Sequence, residues 1–318
     1  MAKGLVPDLG DLRRRFLRPL EALMTRSLVL QGRVASLSVR GMAQIASLAD
    51  VEFRVFSQWG DDGIIDWLIE RLEISTHSFI EFGVEDYSEA NTRFLLVHRN
   101  WRGLVMDSSA DKIARVMADD LSWRHDLQAR TAFITRDNID ALIRAAGFSG
   151  EIGLLSIDID GNDYWIWERI ESVNPIICVC EYNAVFGDVA PVSIPYDETF
   201  DRTKAHHSNL YFGASIAALR SLASKKGYTC LGTNSSGNNA FFVRNDYASR
   251  LEGKVRCRAP WPSRLRESRD ANGRLTYTGG SKRLDLIAHL PVVNVETGQT
   301  LALREIPEVY SETWRAMS

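Results

Sequence analysis

Three short apolar runs in the sequence each end in a carboxylate, and this pattern limits the fold more than any other feature. The runs cover residues 78–80, 153–157 and 176–180, and the acids that follow them are Glu81, Asp158 and Glu181. Apolar runs of this length, closed by polar residues, are typical of buried strands in a parallel sheet. Because charges are costly beside a core unless they bind something, we expect the acids to border a ligand site.

Strand and helix patterns alternate along residues 53–244. The expected strands are residues 78–82, 103–106, 131–135, 153–157 and 176–180, followed by a hairpin of residues 228–233 and 240–243. Helical stripes lie between them, among them one predicted over Glu89–Arg99 and one near residues 110–121. This alternation predicts an α/β fold with a doubly wound, seven-stranded, mostly parallel sheet and an antiparallel last strand.

Two further regions flank this core. Residues 1–50 carry two apolar stripes at helical spacing, and residues 246–318 are rich in Arg and Lys, with a hairpin predicted around Thr297-Gly298. We therefore divide the chain into an N-terminal helical region (1–50), a core (51–245) and a C-terminal extension (246–318). The N-terminal stripes favour packing on the core or a homo-oligomer over contact with a membrane.

The composition excludes several classes of protein. The net charge of -3 on 318 residues gives no case for binding nucleic acid. No apolar run approaches the length that spans a membrane, so we expect no stable membrane insertion. The four cysteines lack metal-type spacing, and Cys178 and Cys180 alternate on an expected strand as small core residues. We expect a protein of the reducing cytoplasm.

The turn after the first strand is suited to a nucleoside. Glu81 ends the strand, Gly83 lets the backbone approach a ligand, and Asp107 ends the next strand, where a carboxylate can accept bonds from ribose hydroxyls. Glu85 and Tyr87 stand where a dinucleotide fingerprint has glycine. This counts against NAD, whose pyrophosphate needs an uncharged Gly-rich turn. A cofactor without phosphate, bearing a sulfonium cation, tolerates carboxylates there.

Five segments together resemble bacterial FkbM-type methyltransferases of class I. They are residues 57–65 (SQWGDDGII), 79–84 (FIEFGV), 91–96 (NTRFLL), 101–104 (WRGL) and 155–165 (LSIDIDGNDYW). The similarity runs from about Phe53 to about Arg244. It implies S-adenosylmethionine as cofactor and a hydroxyl of a sugar, glycan or natural product as methyl acceptor. The residues that the resemblance places at the cofactor are Gln58, Glu81, Gly83, Asn91, Asp107, Ser108 and Asn138.

Acidic and amide side chains follow the fourth and fifth strands. Asp158, Asp160, Glu181 and Asn183 would meet at the carboxyl ends of these neighbouring strands, and oxygen ligands of this kind suit Mg²⁺. Such an ion could lower the pKa of the acceptor hydroxyl. The alternative is structural: Asp158 caps its loop and Glu181 pairs with an arginine.

The loop from Ala184 to Tyr211 is predicted to cover the site. It contains His206 and His207, either of which could serve as general base, although adjacent histidines in a polar loop are often only solvated. The residues predicted to be catalytic are Asp158, Asp160 and His207.

Two other functions remain open from the sequence. Asp158-Ile159-Asp160 is a DxD triplet, as in metal-dependent glycosyltransferases that hold sugar nucleotides. A non-catalytic binding protein with a methyltransferase fold is the third reading, supported by Tyr87 in the cofactor loop.

Overall fold

The computed structural model of the protein describes residues 18–317 and contains ten strands in this range. They are β1 (Ser78–Phe82), β2 (Arg102–Asp107), β3 (Leu127–Thr131), β4 (Gly150–Ile157), β5 (Val173–Glu181), β6 (Val192–Ser193), β7 (Tyr228–Thr233), β8 (Asn239–Arg244), β9 (Pro291–Asn294) and β10 (Thr300–Ala302).

Seven of these strands form the main sheet in the order β3-β2-β1-β4-β5-β8-β7. β1 to β5 are parallel, and β8 runs antiparallel to both β5 and β7. The sheet reverses its direction of growth between β1 and β4, and ligands of doubly wound sheets bind outside the carboxyl ends of the strands at such a point. The predicted fold class, including the antiparallel last strand, is confirmed.

Helices cover both faces of the sheet. The described residues form α1 (Arg18–Arg40), α2 (Asp61–Leu72), α3 (Arg93–Arg99), α4 (Ala110–Ala118), α5 (Leu121–Arg124), α6 (Ile139–Ala145), α7 (Asp163–Arg169), α8 (Arg202–Ala205), α9 (Ile216–Lys225), α10 (Asn245–Ala248), α11 (Lys282–Ile287) and α12 (Glu312–Met317).

Alternate residues of the strands supply two separate apolar cores. On β5, Cys178 and Cys180 face one core, whereas Ile177 and Val179 face the other. The two cysteines are fully buried and unpaired, as expected for small core residues. Because side chains alternate along a strand, Glu181 points to the same side as Val179, the side on which α2 lies.

Two predicted elements have different bounds in the structure. The third strand is Leu127–Thr131, not residues 131–135, because β3 is an edge strand whose middle residues are only half-buried and its apolar pattern is weak. Phe133, which suggested the later position, is exposed. The helix predicted over Glu89–Arg99 begins only at Arg93, because the amides preceding it bond to Glu81 instead of extending the helix.

The C-terminal extension builds a second sheet over the segment that follows β5. β9 pairs with β10 around the turn at Thr297-Gly298, as predicted, and also with β6, so the small sheet has the order β10-β9-β6. Ile287, Val292 and Leu303 pack with apolar residues of the Ala184–Tyr211 loop. The division of the chain at residues 50 and 245 stays a prediction.

Helix α1 packs on α2 and α3 along one narrow face. A Cβ on Gly32 would lie 2.4 Å from Val55, so the helix approaches the core too closely for any side chain there. Ser36 donates to the carboxylate of Asp66 at 2.6 Å and anchors the same face. No helix within residues 18–317 is both long and apolar enough to cross a membrane.

Candidate functional site

Glu81 organises the polypeptide around the end of β1. Its side chain is only 4% exposed, and its two oxygens accept bonds from the amides of Asn91 and Thr92 and from the hydroxyl of Thr92. Burial raises the pKa of Glu81 to about 7, and the hydrogen bonds from these donors lower the pKa in part. Glu81 therefore fixes the segment that leads into α3, and Asn91 reaches from there to donate to Ser156 on β4.

Gly83 is required by the approach of two strand ends. It has φ 74°, and a Cβ on it would lie 1.5 Å from the carbonyl oxygen of Asp158. Any side chain would push the β1 loop away from the end of β4. The structure thus gives Gly83 a packing role, and it lies between the two strand ends that the sequence predicted to form the site.

Asp107 ends β2 and holds both adjoining loops. Its carboxylate accepts the amide of Glu85 at 2.8 Å and the amide of Ser109 at 2.8 Å. The residue is half-buried, and each oxygen keeps a second lone pair for a ligand. Ser108 is exposed beside it. The geometry is compatible with a carboxylate that accepts bonds from ribose hydroxyls.

The other predicted cofactor residues lie in turns. Gln58 is exposed and accepts the indole N–H of Trp59 at 3.0 Å. The side chain of Asn138 accepts the amide of Thr135 and donates to the carbonyl of Phe133, so it closes the turn before α6. None of these hydrogen bonds of Gln58 and Asn138 involves the side chain of Glu81 or Asp107.

Three acids converge at the carboxyl ends of β4 and β5, but they are not the predicted set. Oxygens of Asp158, Asp163 and Glu181 lie within 4.8 Å of one another. Asp160 is 65% exposed and forms an ion pair with Arg202 at 2.7 Å. Asn183 accepts the amide of Val185 and donates to the carbonyls of Leu210 and Phe212, so its side chain holds the loop after β5.

Of the predicted set, Asp158 and Glu181 are thus brought together, and Asp163 joins them because the turn at residues 159–163 folds its carboxylate back onto the amides of Ile159 and Gly161. The metal assignment stays a prediction. Asp160, with φ 57°, points outward from the same turn. The ion pair of Arg202 is with Asp160, and the positive charge of Arg202 also acts on Glu181 without an ion pair between the two among the described residues.

The acids at this edge are difficult to ionise together. Burial raises the pKa of Asp158 and of Glu181 well above the usual range, and the next largest cause is the charge of Asp160 for Asp158 and the charge of Asp158 for Glu181. The pKa of Asp163 rises to about 6, chiefly through burial. Arg202 opposes the shifts of Asp158 and Glu181, and its guanidinium lies 3.7 Å from the centre of the Phe212 ring.

Two more buried acids, Asp61 and Asp62, lie at the beginning of α2, and the sequence analysis did not predict them as site residues. One oxygen of Asp62 accepts the amides of Val55, Phe56 and Ser57, and Asp61 accepts the side-chain amide of Asn234 at 2.9 Å. Burial raises the pKa of Asp62 to about 6 and that of Asp61 to about 7. The adjacent acids after Ser57-Gln58-Trp59-Gly60 were the available signal.

Several buried oxygens on this side of the sheet have no hydrogen-bond partner among the described residues. They are Asp61 Oδ2, Asp62 Oδ1, Glu181 Oε2 and Asn239 Oδ1. Buried polar atoms are normally satisfied, and an orphan acceptor is expensive. When the three carboxyl groups are ionised, all four atoms are acceptors, so a cation or a donor of hydrogen bonds would complete them.

Among the described residues, the hydrogen bonds of the predicted histidines do not involve these acids. His206 forms a hydrogen bond with the hydroxyl of Ser208 at 2.7 Å, and its ring contacts the exposed His207 ring at an angle of 37°. Within residues 18–317 neither ring forms a hydrogen bond or ion pair with Asp158, Asp163 or Glu181. A role of His207 as general base stays a prediction.

No family model matches the chain, and no curated protein matches it in sequence. Among solved structures, the N-terminal domain of EvdMO1 with SAH bound is similar at 10% identity with a TM-score of 0.39, over 59% of this chain and 80% of that one.

Two more solved structures share this level of similarity. A S-adenosylmethionine-dependent methyltransferase from Clostridium acetobutylicum ATCC 824 is 9% identical with a TM-score of 0.37, over 58% of this chain and 90% of that one. The DszA carbon methyltransferase is 12% identical with a TM-score of 0.37, over 58% of this chain and 53% of that one. These scores are low, so the fold assignment rests on the strand order itself.

Proposed function

We propose that the protein is a S-adenosylmethionine-dependent methyltransferase that acts on a hydroxyl of a small molecule, such as a sugar, glycan or natural product. The observation that carries the proposal is the seven-stranded order with antiparallel β8, combined with orphan acceptors at the carboxyl edge. The order is typical of class I methyltransferases, and acceptor-only groups suit a cofactor that carries an ammonium and a sulfonium. We also propose that the methyltransferase is of the FkbM type, as the resemblance in sequence implies.

The residues present fit such a cofactor. Asp107 would accept bonds from its ribose, and Glu181 together with Asp61 and Asp62 would supply negative charge for its cationic groups. When bound, the cofactor supplies a methyl group on a positively charged sulfur, ready for attack by a nucleophile. The protein's main task is then to hold the acceptor oxygen in line with that methyl group.

The acids at the ends of β4 and β5 are suited to taking the proton of the acceptor hydroxyl. Because the pKa values of Asp158 and Glu181 are raised, these groups can accept and release a proton closer to neutral pH than ordinary carboxylates. With a metal bound, the carboxylates of Asp158, Asp163 and Glu181 would instead be ionised ligands of a divalent ion, which would itself lower the pKa of the acceptor hydroxyl and neutralise the charge on its oxygen. We propose magnesium as that ion, and in that case these acids would not also take the proton.

The contacts of Asp160 weigh against a glycosyltransferase. A DxD site needs both acids directed at the metal and diphosphate, whereas Asp160 is exposed and paired with Arg202. Tyr87, which supported a non-catalytic protein, is buried and bonds to the hydroxyl of Thr92 at 2.8 Å. It shapes the β1 loop and does not by itself argue against turnover.

We further propose that the protein acts in the cytoplasm.

The first prediction tests the cofactor assignment through Asp107. Asp107→Ala removes a charged acceptor and should weaken binding of S-adenosylhomocysteine by about 1.5–3 kcal/mol, measured by titration calorimetry. Asp111→Ala, which removes an exposed acid from α4, serves as the control and should bind like the parent. Equal affinities for the parent and Asp107→Ala would remove Asp107 from the cofactor site.

The second prediction concerns the cluster of Asp158, Asp163 and Glu181. If Asp158, Asp163 and Glu181 hold a divalent ion, the parent should bind Mn²⁺, followed by its electron paramagnetic resonance signal. Glu181→Gln should weaken this binding at least about tenfold because a charged ligand is lost. Asp160→Asn should leave it within about twofold. An equal loss in both variants would contradict this ligand set, and no Mn²⁺ binding in the parent would exclude the metal.

The exposed face of α1 supports a homodimer, which we propose as the assembly. Its outward residues follow the alternating three- and four-residue spacing of a coiled-coil seam: Leu20, Leu23, Ser27, Leu30, Val34 and Leu37. Leu23, Leu30 and Leu37 are 64%, 60% and 69% exposed, although α1 is already anchored on its opposite face. A second copy of α1 would bury this stripe.

The third prediction follows from that stripe. The parent should have twice the mass of one chain in light scattering, and Leu30→Glu should shift it to the monomer, because a charge in the seam is costly to bury. Met117→Glu changes a similarly exposed apolar residue on α4 and should keep the dimer. A parent that already has the mass of a monomer would rule the dimer out.

A further inference from the structure

A large cavity opens in the C-terminal extension, lined by residues that the proposed reaction does not use. Its volume is about 770 Å³, which is in the range of small-molecule sites. Three cations line it, Arg266, Lys282 and Arg315, together with Tyr277 and Tyr310 and the turn at residues 278–281. None of the lining residues among those described is acidic.

The positive charge in this cavity is weakly compensated. Within residues 18–317, Arg266 and Lys282 form no ion pair, and Arg315 lies 3.7 Å from Glu308 with both side chains more than half exposed. A pair of this kind contributes little. The three cations come from three separate parts of the chain, so their convergence is produced by the fold and not by a local run of basic residues.

The walls that carry these cations are anchored by buried contacts. Arg283, 5% exposed, donates to the carbonyls of Ser263, Leu265 and Gly280. It thereby ties the segment that bears Arg266 to the turn before Lys282. Tyr310 donates its hydroxyl to the carbonyl of Val185 at 2.7 Å, which fixes the third wall to the loop after β5.

We propose that this cavity is a binding site for a small phosphorylated molecule. A phosphate monoester carries close to two negative charges, which matches three converging cations, and the guanidinium fork of arginine suits its oxygens. Tyr277 is 59% exposed and presents a ring on which the non-phosphate part of the ligand can stack. The site does not depend on the proposed methyl transfer, because none of its lining residues was assigned to cofactor, metal or proton transfer.

Phenyl phosphate is the probe for this site, since it combines one phosphate with one ring. Titration calorimetry on the full chain should show one molecule bound per chain. Arg266→Ala and Lys282→Ala should each weaken binding about tenfold, because each removes a charged donor to the phosphate. Both positions are exposed, so folding should be unaffected.

Arg274→Ala is the matched control. It removes the same charge from an exposed position of the same extension but outside the cavity, and it should bind phenyl phosphate within twofold of the parent. The proposal is overturned if phenyl phosphate does not bind, or if Arg274→Ala weakens binding as much as Arg266→Ala does. S-adenosylhomocysteine, titrated into the same variants, should bind as to the parent, so that a failure of the cofactor proposal is seen separately.

Discussion

The structure depends on the burial of carboxylates against one face of the sheet. Glu81 and Glu181 lie buried at the ends of β1 and β5, the half-buried Asp158 follows β4, and Asp61 and Asp62 begin the helix that packs above them. Each pays a desolvation cost that appears as a raised pKa. A chain selected only for stability would not gather acids in this way, so the arrangement argues for a cationic ligand or partner group at this edge.

These acids divide into two kinds by their contacts. Glu81 is satisfied by three donors and holds the segment that enters α3, so its role is to shape the site. Glu181 Oε2, Asp61 Oδ2 and Asp62 Oδ1 accept no hydrogen bond from the described residues, so these oxygens are the ones open to a ligand. Arg202 is a cation placed against the cluster, and it draws Asp160 away from the position that the sequence suggested.

The sheet and the strands that carry acids could be predicted from the sequence, because apolar runs that end in carboxylates are typical of buried parallel strands. β3 was misplaced because an edge strand with half-buried residues has no strong pattern. The sequence does not show which of Asp160 and Asp163 turns its carboxylate towards the other acids, because this depends on the positive φ of the backbone at Asp160. The cavity of the extension joins segments that lie up to 49 positions apart, a proximity that local patterns do not encode.

The most direct test of a cation held by buried carboxylates is a count of protons released on binding. S-adenosylmethionine is titrated into the protein at pH 6.5 in buffers of different ionisation enthalpy. Carboxyl groups with pKa values of about 6 to 7 are partly protonated at this pH, and a nearby cation favours their charged form. The observed heat should therefore depend on the buffer, with a slope of about half to one proton released per site. Binding with no dependence on the buffer, or no binding, would contradict the account.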